Sequence, residues 1–405
     1  MNYIFSAGAG MGSAGCLVCG GRDLSEVVEI KRVPVFCNVL WASRQDALKA
    51  ERGDIRLLAC GDCGHVFNAA FDAERLAYSG EYDNSLHFSE VFDGYARGLA
   101  ERLIAAHGLR GKDIIEIGCG KGNFLKMLCE MGVNRGVGFD PSYEGEDGGR
   151  VRFVKDYYGK KYAAAKGDFV CCRHVLEHVE GCREFVRGAA EAAGDDGGVV
   201  YFEVPNARYS FECGGVWDLI YEHVSYFGER SLRRLFEDCG FGGAAVREEF
   251  GGQFLGIEAV KGRRAEDKRA VLADAAASVK GFAKRYEAAV RYWRERVGEF
   301  EREGKKTVVW GAGSKGVSFV NAVDDGGGIR YLVDVNPAKR GRYVGGSGQK
   351  VVGPDELKEA GADVVIVMNG QYMGEIGECL RRLGLRAEVV DVNDAANKIA
   401  SLRSQ

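Results

Sequence analysis

The segment that most constrains this chain is Ile114-Ile115-Glu116-Ile117-Gly118-Cys119-Gly120-Lys121-Gly122-Asn123-Phe124, followed by Gly136-Val137-Gly138-Phe139-Asp140. An apolar run ending in a Gly-x-Gly-x-Gly turn, with a second strand closing on an acid one helix later, predicts a βαβ unit of a doubly wound parallel sheet. Glycines let a ligand approach the main chain, and Asp140 can accept both hydroxyls of a ribose. A glycine turn alone would fit any strand-to-helix junction; Asp140 tips the reading toward a nucleoside site.

The register departs from the Gly-x-Gly-x-x-Gly of dinucleotide sites and resembles motif I of class I S-adenosylmethionine (SAM) methyltransferases. On that resemblance the cofactor contacts are Glu116, Gly118, Cys119, Gly120, Gly122, Asn123, Phe124, Asp140 and Pro141. Asp156, after the short strand Arg152–Lys155, is expected to meet the adenine amino group. Arg173 and His174 follow the buried-looking strand Phe169-Val170-Cys171-Cys172 and should reach the same crevice, since ligands lie at the carboxyl ends of the strands.

At 405 residues the chain exceeds one ordinary core. We expect an α/β protein with four parts: a zinc-binding module over 1–75, a Rossmann-like SAM domain over 76–262, a linking helix over 263–303, and a second Rossmann-like domain over 304–405. No apolar run reaches membrane-spanning length, and the net charge is only -4, so neither a membrane nor a nucleic acid is expected as partner. The first residues lack a basic start and a long apolar core, and residues 1–14 read as a mobile leader. With no export signal in view, 13 cysteines point to a reducing cytoplasm and to metal or buried thiols.

Cys16-Leu17-Val18-Cys19 and Cys60-Gly61-Asp62-Cys63 form two Cys-x-x-Cys knuckles. Four thiolates can surround one zinc ion tetrahedrally and leave no open position, so the site should be structural. Cys37, between the knuckles, reads as a packing residue.

Residues 88–110 predict an amphipathic helix with Phe92, Tyr95, Leu99, Leu103 and Ile104 on one face. Beyond the strand Val199–Pro205, Tyr221-Glu222-His223 sets a phenol, a carboxylate and an imidazole side by side. Histidine titrates nearest neutral pH, which makes His223 the candidate general base; a hydrogen-bonded structural histidine is the equal alternative. His174 and His178, four apart around Glu177, could ligate a metal only with a third ligand, so His178 reads as a pocket residue.

Further on, Leu272, Val279, Phe282, Tyr286, Val290, Trp293 and Val297 recur at helical spacing. Lys306–Trp310 then leads into Gly311-Ala312-Gly313-Ser314-Lys315-Gly316, and Tyr331–Val333 into Asp334, a second nucleotide-type unit. It could hold a nucleotide attached to the substrate, or NAD. Asn336, Lys339, Arg340 and Tyr343 could add phosphate contacts, and Asn369 and Tyr372 end a further strand on the same crevice.

This order of parts resembles the sugar C-methyltransferases that act on nucleotide-linked 4-keto deoxysugars, with Asp334-x-Asn336-Pro337 and Met368-Asn369-x-x-Tyr372 among the marks. The resemblance implies SAM in the middle domain, one structural zinc ion, and a nucleotide sugar held by the C-terminal domain through Gly311, Gly313, Ser314, Lys315, Gly316, Asp334, Asn336, Lys339, Tyr343, Asn369 and Tyr372. It implies that His223 abstracts the proton next to a ketone, that Glu222 is its partner, and that Tyr221 and His178 contact the sugar. Tyr82 would be the family's pocket-lining tyrosine. The family's Tyr-x-Glu-His is one residue shorter here, since Tyr221 directly precedes Glu222. Whether the chain works as a monomer or a dimer stays open.

Overall fold

A computed structural model of the protein describes residues 15–76, 87–194, 197–262, 279–324 and 327–394. The predicted βαβ unit supplies the fifth and sixth strands of a seven-stranded sheet, ordered Phe241–Glu249, Phe254–Lys261, Val199–Pro205, Phe169–Arg173, Asp113–Ile117, Arg135–Phe139, Val151–Val154. The last five strands run parallel, and the first two form an antiparallel hairpin on the edge. Their apolar runs are buried on both faces, as helix-covered parallel strands require. The helix Glu90–His107 buries Phe92, Leu99, Leu103 and Ile104, and Ser89 caps it by accepting from the Phe92 N–H.

A second seven-stranded sheet carries the C-terminal unit, with Thr307–Trp310 as its third strand, between Val364–Val367 and Ile329–Val333. Its far edge is Leu40–Trp41, a strand from the N-terminal region paired with Tyr343–Val344. Ser225–Tyr226 of the middle region in turn pairs with Val66–Asn68 in the small N-terminal sheet. Sheets therefore cross the sequence boundaries near residues 75 and 303, and the three parts are woven together.

The described part of the expected linking helix is Phe282–Arg302; residues 263–278, including Leu272, lie outside the described residues. Trp293, fully buried, packs edge-on against Phe319 and donates its indole N–H to the Val392 carbonyl at 3.0 Å. The helix is thus a wall of the C-terminal core, beyond a connector.

Candidate functional site

Between the two large sheets lies a cleft of about 930 Å³. Both glycine turns open into it, each at the carboxyl end of its central strand. Gly118 has φ +72, and a Cβ there would stand 2.1 Å from the Val175 side chain, so only glycine fits. In the second turn a Cβ on Gly316 would meet the Gly311 carbonyl oxygen at 1.9 Å. These glycines make the close strand-helix packing on which each turn depends.

Of the residues expected to hold the cofactor, Glu116, Gly118, Cys119, Gly120, Asn123, Phe124, Asp140, Pro141, Arg173 and His174 line the cleft. Gly122 does not: it faces the ring of Phe153, where a Cβ would come within 2.4 Å. Asp156 is also absent from the wall, because its carboxylate accepts from the Tyr157 N–H and the Tyr162 hydroxyl and is paired with Lys161. Tyr157 lines the cleft in its place.

The pocket fits SAM. Asp140 is anchored by the Gly120 N–H at 2.8 Å and by the Ser142 N–H and hydroxyl at 2.8 and 2.6 Å, which fixes a carboxylate at the expected ribose position. Space beside Gly120 is open, with nothing within 4 Å of where a Cβ would sit. Glu116 is buried, and its Oε2 has no hydrogen-bond partner among the described residues. Burial raises its carboxyl to about 8, against the pull of Arg173. A buried acid with an open oxygen suits an ammonium group.

Behind this wall, Glu203 lies fully buried in the strand Val199–Pro205. Its Oε1 accepts from Arg173 at 2.9 and 3.0 Å and stands 3.0 Å from His174 Nε2, while Tyr201 and Tyr95 donate to Oε2. Burial alone would raise this carboxyl, but Arg173 and His174 outweigh it and hold it below the ordinary range. Burial would lower His174, yet Glu177 and Glu203 raise it to about 9. Arg173 stacks on Phe124, 4.3 Å from the ring centre, carrying this charge cluster up to the first glycine turn. His174 has φ +56, a left-handed conformation rare for a side-chain-bearing residue, of the kind that gathers at functional sites.

Further along the wall, His178 and His223 meet edge to face with ring centres 4.9 Å apart, and both line the cleft. The His178 Nδ1–H donates to the Glu222 carbonyl at 2.8 Å, and the charge and main chain of Asp218 favour the protonated form of His223. Burial lowers both to about 4. With Glu177 they form a buried group whose ligand-type atoms lie within 4.8 Å of one another; it joins His178 to His223 and Glu177, and His174 is not in it.

Glu222 and Tyr221 do not line the cleft. Glu222 is fully buried, accepts from the Cys37 N–H at 2.9 Å and is raised by burial to about 8. Cys37 therefore does more than pack: its main chain holds Glu222. The Tyr221 hydroxyl accepts from the Asp72 N–H at 3.0 Å, and its ring packs on Phe71. With no spacer before Glu222, the phenol points into the N-terminal module. Tyr82 lies outside the described residues.

From the C-terminal unit, Gly311, Gly313, Ser314, Lys315, Gly316, Asp334, Lys339, Asn369 and Tyr372 line the cleft. Asn336 is turned away and caps the Pro337–Lys339 turn, accepting from the Ala338 N–H at 2.9 Å. Tyr343 sits in the strand next to the far edge, paired with Trp41. Asp334 accepts from the Ala312 N–H at 2.9 Å, and Lys339 Nζ stands 3.3 Å from it. Three contributors had no motif to mark them: Asn38, which donates to the Ser314 hydroxyl at 3.1 Å, Gln253 and Asp218. Glu203 did carry a signal, as a lone charge inside an apolar strand.

In the N-terminal module, Cys16 Sγ and Cys63 Sγ are 3.5 Å apart and Cys19 Sγ and Cys60 Sγ 3.6 Å, and all four sulfurs form one cluster. Zinc-sulfur bonds of about 2.3 Å put tetrahedral sulfurs a little under 4 Å apart, so the donor set fits zinc.

Residues 88–245 match the methyltransferase domain family, and residues 253–386 match the C-methyltransferase C-terminal domain family. No curated protein matches the chain. Among solved structures, a SAM-dependent methyltransferase from Archaeoglobus fulgidus is similar at 20% identity and a TM-score of 0.33, covering 44% of this chain and 100% of that one. Magnesium protoporphyrin IX methyltransferase from Synechocystis, with bound S-adenosylhomocysteine, gives 19% identity and a TM-score of 0.33 over 42% of this chain and 84% of its own. The 1,6-didemethyltoxoflavin-N1-methyltransferase of Burkholderia thailandensis gives 17% identity and a TM-score of 0.33 over 50% and 98%.

Proposed function

We propose that this SAM-dependent methyltransferase methylates a carbon atom beside the ketone of a nucleotide-linked keto-deoxysugar, with His223 as the base. The observation that carries the reading is the pair His178 and His223 in the wall of one cleft that both glycine turns enter. Bound against Glu116, Gly120 and Asp140, SAM supplies an electrophilic methyl group. The chain's own contribution is to hold a neutral imidazole where a carbon acid can be presented to it. Burial lowers His223 to about 4, with Asp218 opposing, so its imidazole is neutral at neutral pH. Negative charge developing on the substrate offsets that burial as the proton arrives.

The second glycine turn supports a nucleotide as the substrate's handle. Lys339 beside Asp334 brings a cation to that turn and favours an anionic group there over a bare ribose diol. The four clustered thiols support one structural zinc ion in the N-terminal module. No helix among the described residues is long and apolar enough to cross a membrane, and we assign the reaction to the cytoplasm, with the reduced cysteines as support.

The test is His223→Asn. Methyl transfer should fall by about 10²–10⁴ with SAM affinity unchanged; methyl transfer at the wild-type rate with SAM still bound would remove His223 as the base.

A further inference from the structure

Lys315 belongs to the second glycine turn, yet its side chain leaves that turn and crosses to the middle domain. Its Nζ donates to Gln253 Oε1 at 2.8 Å and stands 3.8 Å from Asp218 Oδ2. It also lies 5.2 Å from the centre of the Tyr209 ring. Asp218 is also the residue whose charge and main chain act on His223. Gln253 in turn forms a reciprocal amide pair with Asn369, at 2.8 and 3.0 Å. The ammonium of this C-terminal residue is therefore fixed by groups of the middle domain, with Asn369 acting through Gln253, and it lines the same cleft as His223.

An ammonium carries three donors. Gln253 takes one, and Asp218 at 3.8 Å is at ion-pair and not hydrogen-bond distance, which leaves donor capacity for a ligand in the cleft. Lys315 also sits in the first turn of the helix Ser314–Val323, whose main-chain N–H groups add positive potential on the same side. Phosphate contacts for the substrate's handle are already available from Lys339, at the other side of the turn.

We infer that Lys315 is a catalytic residue supplied by the C-terminal domain: it donates to the carbonyl oxygen of the substrate and stabilises the enolate. In that step the carbon-hydrogen bond breaks, the proton goes to His223, and the electron pair moves onto the oxygen that Lys315 holds. The fixed cation needs no reorganisation as the charge develops, the condition under which such groups are most effective. The C-terminal domain then completes the reaction centre as well as binding the handle.

This inference rests on the proposed C-methylation, and one experiment separates the two. Wild type, Lys315→Gln and Lys315→Arg are incubated in D₂O with S-adenosylhomocysteine and a nucleoside-diphosphate-linked 4-keto-6-deoxyhexose, and exchange of the proton beside the ketone is followed by NMR, alongside kcat and KM for methyl transfer and SAM affinity. Wild type should exchange. Lys315→Gln should lose exchange and kcat together by about 10²–10³, as for loss of an oxyanion donor, with KM and SAM affinity within a few-fold, and Lys315→Arg should recover part of both. Exchange and kcat within twofold of wild type in Lys315→Gln, or a raised KM with kcat unchanged, would overturn the inference and leave C-methylation standing. Absence of exchange in wild type would overturn both.

Discussion

The Gly120 N–H donates to Asp140 Oδ2 at 2.8 Å, and the same bond recurs in the other half of the molecule, from the Ala312 N–H to Asp334 Oδ2 at 2.9 Å. In both, the acid ending the second strand of a βαβ unit is tied to the glycine turn ending the first. The halves diverge in what stands next to the acid: Ser142 beside Asp140, Lys339 beside Asp334. The proposed function assigns the first turn to the ribose of SAM and the second to the anionic handle of the substrate.

Asp140→Ala should therefore weaken SAM. Hydrogen bonds to a charged group are worth about 1.5–3 kcal/mol, so the Kd should rise by about 10- to 100-fold by calorimetry. Asp334→Ala should leave it within about twofold. Equal effects of the two substitutions would contradict the assignment of the pockets.

Glu203 holds Arg173 and His174 inside the core. Glu203→Gln leaves two buried cations without their counter-charge, and breaking such a group typically costs about 3–5 kcal/mol. Urea unfolding should show a loss of that size; a change under about 1 kcal/mol would mean that the cluster is less dry than its burial indicates.

Acid and base should both destabilise the fold, through its histidines. Burial lowers His178 and His223 to about 4 and His65 to about 3, each below the ordinary value near 6.5. Their contribution is complete above pH 6.5 and is lost as pH falls toward 4, by up to roughly 3 kcal/mol each. His174, raised to about 9, contributes fully below pH 6.5 and loses its contribution as pH rises through 9. Glu116 and Glu222, raised to about 8, also lose stability between pH 4.5 and 8; they offset part of the histidine effect in acid and add to the decline above pH 6.5. The melting temperature should peak near pH 6.5, and His65→Gln should flatten the acid side.

The cysteine knuckles are part of the main core: Cys16, Cys60 and Cys63 pack in one cluster with Phe67, Leu232 and Phe236. The purified protein should hold about one zinc ion per chain by elemental analysis, and Cys63→Ala should lose it together with thermal stability. A metal-free chain with unchanged melting would show that the sulfurs pack without an ion.

Much of this was legible because the signals are local. The turn Gly118–Gly122 and Asp140 announce one βαβ unit, and Gly311–Gly316 with Asp334 announce another, since strand, turn and helix are adjacent in sequence. Asp156 and Tyr343 misled because a polar residue near a strand end has several neighbours to choose from, and Lys161 and Trp41 are set by tertiary packing. Tyr221, expected at the substrate, is instead packed on Phe71 and bonded to Asp72, contacts that only the tertiary fold creates. Gln253 and Asn38 had no local signature, since each acts on a glycine turn remote in sequence. The strand exchanges, Leu40–Trp41 into one sheet and Ser225–Tyr226 into another, involve two-residue strands too short for any periodicity to reveal.

The most direct measurement is mass spectrometry and NMR of the products formed from SAM and a panel of nucleotide-linked 4-keto-6-deoxysugars. A product heavier by one methyl group, with the new methyl on the carbon beside the ketone, is the expected result. A methyl on oxygen or nitrogen, or no product from any member of the panel while SAM remains bound, would contradict it.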